Sequence, residues 1–442
     1  MFMDLVSGAY KSCDGVSRRS FLRAGALTFG GLTMANAMRQ QALAGEGSQT
    51  GKCTNVILIW QGGGPSHLDM WDLKPNAPSE FRGTFNPIKT NLSGYHVSEH
   101  MPKIAKVCDK LTILRSVTHP DGGHESASHW LLTGYKPTND IPAQEMPSYG
   151  SIVNKELGPR KAGFPGYVAV PTAPRSSAAA YLGVGYNPFE THGDPNAKEF
   201  KVRNLQTAGG ISLERMKNRR AMLKQFDTLR RDADASGLIE GMDSFSEQAF
   251  ELVTSPKVQE AFDISRETDA MRERYGRNNW GQSLLLSRRL VESGVRFVTM
   301  NMGGWDTHTN NFEELKKSKL PNFDQSFSAL IDDLYQRGML DTTMVLVWGE
   351  FGRTPRINAT AGRDHWPNAM SVVMAGGGLK RGTVIGETDA RAEFPKDRPI
   401  SPQDVLATMY HKLGINREKT YSNEADRPVE ILNVGEPIAE II

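Results

Sequence analysis

Five stretches of this chain hold residue types at spacings that metal or acid–base chemistry uses. Asp306 and His308 stand at i and i+2 in Gly303-Gly304-Trp305-Asp306-Thr307-His308. Glu350 and Arg353 share Gly349-Glu350-Phe351-Gly352-Arg353, and Asp364 and His365 follow in Gly362-Arg363-Asp364-His365-Trp366. A fourth run, Ser116 to His129, carries His119, His124 and His129 with Asp121, Glu125 and Ser126. The fifth is Gln61-Gly62-Gly63-Gly64-Pro65-Ser66-His67-Leu68-Asp69. Carboxylates and imidazoles gathered from separate segments are what a divalent cation needs, because one short segment rarely supplies the geometry. Two such cations about 3.5–4 Å apart would clamp the attacking and leaving oxygens of a phosphoryl or sulfuryl transfer. Arg353 and Arg363 would hold the remaining oxygens bidentately. The glycines Gly62, Gly63 and Gly64 let backbone N–H groups come close to a ligand, and a helix opening near His124 would attract an anion. His129 reads more plainly as a packing or surface histidine.

These residues need a frame. Short apolar, β-branched runs bounded by Gly, Pro or Asp recur at Val56–Trp60, Leu111–Val117, Tyr167–Val170, Val295–Met300, Met344–Trp348 and Ser371–Met374. Near-continuous apolarity is the pattern of strands covered on both faces. Helical stretches alternate with them at Met101–Lys110, Phe323–Arg337 and Gln403–Leu413, the last entered by Ser401-Pro402 and closed by Gly414. This alternation predicts a three-layer α/β/α sandwich with a mostly parallel central sheet. Ligands of such sheets bind beyond the carboxyl ends of the strands, where the candidate clusters fall. Between about 210 and 294 the residues turn rich in Arg, Glu, Leu and Gln, which predicts a helical insertion covering one end of the sheet.

Composition narrows the function classes. The 442 residues are 38% hydrophobic and 23% charged with net charge +2, an ordinary globular balance with no basic stripe for nucleic acid. No apolar run approaches the roughly 20 residues of a membrane span, so no stable membrane insertion is expected once a signal is removed. Residues 1–44 read as a twin-arginine export signal: Ser17-Arg18-Arg19-Ser20-Phe21-Leu22, an uncharged stretch from Ala24 to Ala37, and Ala42-Leu43-Ala44. Residues 45–442 then form one domain, placed in the periplasm or outside the cell. Cys53 and Cys108 remain after cleavage and are expected to be separate buried thiols.

The motifs NVILIWQGGGPSHLDMWD, THPDGGHESASHWLLTGYKP, GGWDTHTNNF, VWGEFGRTPRIN and GRDHWPNA, behind the export signal, resemble the family called domain of unknown function 1501. The family looks like a branch of the alkaline phosphatase and sulfatase superfamily. That resemblance implies a metal site of one or two ions at the strand ends. His124 falls where the superfamily places its nucleophilic Ser, Thr or formylglycine. Asp306 and His308 resemble the pair that holds one metal, although their spacing is usually wider. Glu350 stands in the position of an Asp that holds the other metal, with Phe351 replacing its neighbouring His. His365 resembles the late histidine ligand. Gln61 replaces the Asp expected after the first strand. The C/S-x-P-x-R setting of sulfatases is absent, so formylglycine chemistry is not expected.

The reading is an exported metal-dependent hydrolase of phosphate or sulfate esters, small-molecule or glycan. Asp306, His308, Glu350 and His365 are the first candidate ligands, followed by His67, Asp69 and Asp364. The donor set permits one or two divalent cations, zinc foremost, with manganese, iron and calcium as alternatives. His124, Ser126 and Arg353 are the catalytic candidates; Gly62, Gly63, Gly64 and Arg363 are the substrate-binding ones. His124 would attack directly, or bind metal while Ser126 or a metal-activated water attacks; the water is favoured. The rival reading is a non-catalytic envelope protein that binds anionic glycans with a degenerate site of the same fold.

Overall fold

A computed structural model describes residues 53–138, 144–202 and 250–442, together with Leu205 and Asn218. The expected export signal lies outside these residues, as does most of the expected insertion before 250. Eight strands form one sheet: β1 (Asn55–Trp60), β2 (Leu111–Val117), β3 (Tyr167–Val170), β4 (Phe189–Glu190), β5 (Phe297–Asn301), β6 (Thr343–Trp348), β7 (Met370–Gly376) and β8 (Thr383–Ile385). Their order is β8-β2-β7-β6-β1-β5-β3-β4. β1 runs parallel to β5 and β6, with Trp60 opposite both Asn301 and Trp348. β7 alone runs antiparallel, against β2 and β6.

Alternation along β1 sends Ile57 and Ile59 into one apolar core and Val56, Leu58 and Trp60 into the other. Helices α1 (His67–Met70), α2 (His124–Thr133), α3 (Tyr149–Leu157), α4 (Asn279–Ser293), α5 (Leu320–Gln336) and α6 (Pro402–Leu413) flank or adjoin the sheet. Leu284, Leu290 and Val291 of α4 and Phe327 and Leu330 of α5 fill the first core. Leu131 of α2, Ile152 of α3 and Leu406 of α6 fill the second. The expected α/β/α sandwich with a mostly parallel sheet is therefore the observed architecture. Burial of both faces explains why the strands read as unbroken apolar runs.

Two expectations need correction. Met101–Lys110 is not one helix but two tight turns, Ile104–Lys106 and Cys108–Lys110. The Asp324 carboxylate of α5 takes the N–H groups of Lys103 and Ile104, and the backbone bonds then close from i to i+3. The end of the expected insertion is α4, which covers the sheet face and not the strand ends. Cys53 and Cys108 are free and buried, as expected. Among the described residues no helix is long and apolar enough to cross a membrane.

The strand directions position the site. β1, β2, β5 and β6 are parallel to one another through their shared neighbours, so Gln61, Thr118, Met302 and Gly349 leave the sheet at one edge. His365 precedes β7, which would put it at the opposite edge of an all-parallel sheet. Because β7 is reversed, with Met370 opposite Val117, the segment before it reaches the same edge.

Candidate metal centre

Three imidazoles converge on one carboxylate. His308 Nε2 lies 3.0 Å and His365 Nε2 3.3 Å from Asp306 Oδ1, and His124 Nε2 lies 3.3 Å from Asp306 Oδ2. His308 Nε2 and His365 Nε2 are 3.0 Å apart. Donor atoms of His124, Asp306 and His365 all fall within 4.8 Å of one another. Asp306 and His308 are about two-fifths exposed (42% for each side chain), so the cluster opens to solvent.

Each element delivers its residue for a local reason. The Asp306–His308 segment leaves β5 through Gly303 and Gly304, and Trp305 anchors it, buried, with its indole N–H on the Met302 carbonyl at 2.8 Å. His124 opens α2 behind Gly123, whose N–H is held by Asp121 Oδ1 at 2.9 Å. His365 lies in a two-residue strand paired antiparallel with Gly352–Arg353. Phe351, fully buried, packs against both His124 and His365, with ring centroids 5.0 and 4.4 Å away.

Charge is distributed unevenly across the cluster. Arg353 is fully buried and bonds the carbonyls of Gly64 and Arg363 at 2.9 Å each, the Gly63 carbonyl and Asp306 Oδ1. Partial burial opposes ionisation of Asp306, but the Arg353 guanidinium outweighs it and holds the carboxyl at about 2. The hydrogen bond that His124 donates to Glu350 raises the His124 pKa above its ordinary value. Burial lowers that of His365. Asp364 is lowered by its hydrogen bond to His308, at 2.7 Å from Nδ1.

Several candidate residues take other places. Glu350 is buried, and its Oε1 already accepts from Gly63 N–H at 2.8 Å and His124 Nδ1 at 2.6 Å, so it backs His124. Its Oε2 is buried without a hydrogen bond. Asp364 likewise stands behind His308 and is not in the ring of converging atoms. Asp69 and Arg363 are both fully buried and pair with each other, so the structure commits each to the other and not to the cluster around Asp306. His67 is buried with Nε2 3.0 Å from the Ala392 carbonyl, and burial lowers its pKa. Ser126 Oγ turns away to Asp121 Oδ1 at 2.7 Å. Arg353 spends its donors on Asp306 and on backbone. The glycine turn serves the protein's own groups: Gly63 N–H holds Glu350, and the Gly64 carbonyl holds Arg353. A Cβ on Gly63 would collide with the Asp306 backbone nitrogen, and one on Gly64 with the Phe351 ring.

Residues outside the candidate set prove to brace the site. Gly122 accepts from His365 Nδ1 at 2.8 Å, a backbone contact that no residue type announces. His119, buried, places Nε2 2.8 Å from the Glu350 carbonyl, and its Nδ1 accepts from Asp121 N–H at 3.3 Å. Both nitrogens are therefore used by a neutral ring, and burial lowers its pKa to about 4. Its place in the same run as His124 was the available signal.

The fit to a cation follows from hydrogen-bond bookkeeping. Asp364 and the Gly122 carbonyl can only accept, so Nδ1 is the donor on His308 and His365, and the neutral form of each ring presents a lone pair at Nε2. Two lone pairs and a carboxylate oxygen then meet at 3.0–3.3 Å. Bonds of about 2.0–2.1 Å in a tetrahedron give ligand separations of about 3.3 Å. The residues present fit a divalent transition metal.

Among solved structures, the chain is similar to alkaline phosphatase from the Antarctic bacterium TAB5, at 14% identity over 77% of this chain and 96% of that one, with TM-score 0.36. It is similar to PsFucS1 sulfatase from Pseudoalteromonas sp., at 11% identity over 85% and 72%, TM-score 0.36. A third is the phosphonate monoester hydrolase SpPMH from Silicibacter pomeroyi, at 11% identity over 87% and 75%, TM-score 0.32. No curated protein matches the chain. The model of the family described as "Protein of unknown function (DUF1501)" matches residues 53–442, and the chain belongs to that family.

Proposed function

We propose that this protein is an exported, metal-dependent hydrolase of phosphate or sulfate esters. One observation carries the reading: Asp306 Oδ1, His308 Nε2 and His365 Nε2 lie 3.0–3.3 Å from one another at the solvent-open carboxyl edge of the sheet. A divalent cation bound there would polarise an ester oxygen and lower the pKa of an attacking water. Asp306 is kept ionised and fixed in direction by Arg353. Ser126 is committed to Asp121, which favours a metal-activated water over the serine as the nucleophile. The twin-arginine pattern fits this chemistry, because that route exports proteins already folded and loaded with metal.

The test is elemental analysis of the mature protein, purified without chelators or an affinity metal, followed by aryl phosphate, diester and sulfate substrates. The expected result is a bound transition metal that is lost, with turnover, in His308→Ala. A metal-free folded protein that binds sulfated polysaccharide and hydrolyses none of these esters would replace the reading with the glycan-binding one. Export is checked separately: replacing Arg18 and Arg19 by Lys should retain the precursor inside the cell.

A further inference from the structure

The role of His124 remained open between attacking group and ligand, and the geometry separates the two. His124, His308 and His365 are built alike. Each gives its Nδ1 to an acceptor: Glu350 Oε1 at 2.6 Å, Asp364 Oδ1 at 2.7 Å and the Gly122 carbonyl at 2.8 Å. Each turns its Nε2 to the Asp306 carboxylate, at 3.3, 3.0 and 3.3 Å. An imidazole that ligates a metal commonly donates its other N–H to a carboxylate or carbonyl, which fixes tautomer and ring direction. Glu350 Oε1 already accepts the Gly63 N–H, so it acts as acceptor toward His124 as well and His124 Nδ1 is the donor.

Resting on the metal-centre reading above, we propose that His124 is a ligand of the same cation, completing a centre of three imidazoles and the Asp306 carboxylate. Glu350 and Asp364 are then positioning residues, one for His124 and one for His308. Phe351 supports this arrangement because its ring packs on His124 and His365 together and fixes their mutual angle. His124 and His365 themselves meet edge-on, with centroids 4.3 Å apart. With its lone pair on the cation, His124 forms no covalent adduct with substrate. The donor set of three nitrogens and one oxygen suits zinc, and also iron or manganese, ahead of calcium.

The experiment is competition for Zn²⁺ between the mature protein and a chromophoric chelator, repeated with Co²⁺ to read the visible spectrum of the bound ion. Wild type, His308→Ala, His124→Ala and Glu350→Gln are compared, each checked for intact fold by circular dichroism. The expectation is one equivalent in wild type and a loss of affinity above about 100-fold in both histidine variants. Glu350→Gln keeps the acceptor but loses its charge, and should weaken binding by about 10–100-fold. The Co²⁺ spectrum should change in His124→Ala.

Wild-type affinity and an unchanged Co²⁺ spectrum in His124→Ala, with loss in His308→Ala, would overturn the proposal and leave the metal-centre reading standing. Should His124→Ala fail to fold, Glu350→Gln decides: unchanged affinity there overturns the proposal. Trapping a phosphoryl group on His124 during turnover would overturn it as well. A wild type that binds neither ion would remove the metal-centre reading itself.

Discussion

Arg363 closes on Asp69 through two hydrogen bonds, Nε to Oδ2 at 2.8 Å and Nη2 to Oδ1 at 3.0 Å, with neither side chain exposed. Ser66 and Asn311 complete the carboxylate's partners at 2.6 and 2.9 Å. Asp69→Asn should leave a buried guanidinium without its counter-charge and cost about 3–5 kcal/mol in urea unfolding. Metal binding per folded molecule should not change. Loss of metal with stability intact would return Asp69 to the ligand set.

Gly63 sits at φ +110° directly beneath the Asp306 backbone nitrogen. Gly63→Ala should cost about 1–3 kcal/mol in strain. It should also weaken metal binding, because the new methyl displaces the segment that carries Asp306. Gly94 has φ +77° with open space around it and is the control. Gly94→Ala should cost stability alone. Equal metal affinity in the two variants would show that Gly63 does not set the position of Asp306.

Asp306→Ala removes the oxygens on which the imidazoles converge and the charge that Arg353 faces. It should abolish metal retention and turnover together, and retained activity would remove Asp306 from the site. Asp364→Ala removes only the acceptor behind His308. The expected loss there is about 10–100-fold in metal affinity, read by chelator competition, with Asp364→Glu recovering part of it.

His119 sets a pH dependence of stability. Burial holds its pKa at about 4 in the folded chain against an ordinary 6.5. Between those values the unfolded chain binds more protons, so stability falls as pH drops through that window and rises again with pH. The full effect is about 3 kcal/mol. Urea unfolding of wild type and His119→Gln at pH 7 and pH 5 measures it. The variant should lose less stability on acidification, and an identical loss would mean that His119 titrates normally in the fold.

The frame was legible in the sequence where burial leaves a pattern. Leu111–Val117 and Tyr167–Val170 match their expected bounds because their apolar runs end where the chain leaves the sheet. The edge strands Phe189–Glu190 and Thr383–Ile385 were not expected, since two or three half-buried residues have no period to read. Asp306, His308 and His365 were named as ligand candidates because strand ends collect functional residues. Their meeting depends on the reversed strand β7, which no residue type marks. Asp69 and Glu350 were named for the same reason, but Asp69 pairs with Arg363 and Glu350 backs His124. A carboxylate beside an imidazole reads alike whether it faces a cation or a guanidinium, and the partner that decides for Asp69 lies 294 residues away.

The glycine turn at Gly62–Gly64 has a consequence for divergence within the family. A floor made of backbone, with Asp306 and Phe351 pressed against it, offers no side chain for mutation to exchange. A side chain added at Gly63 or Gly64 meets Asp306 or Phe351, so the shape of the site is open to change at its rim and closed to change at its floor.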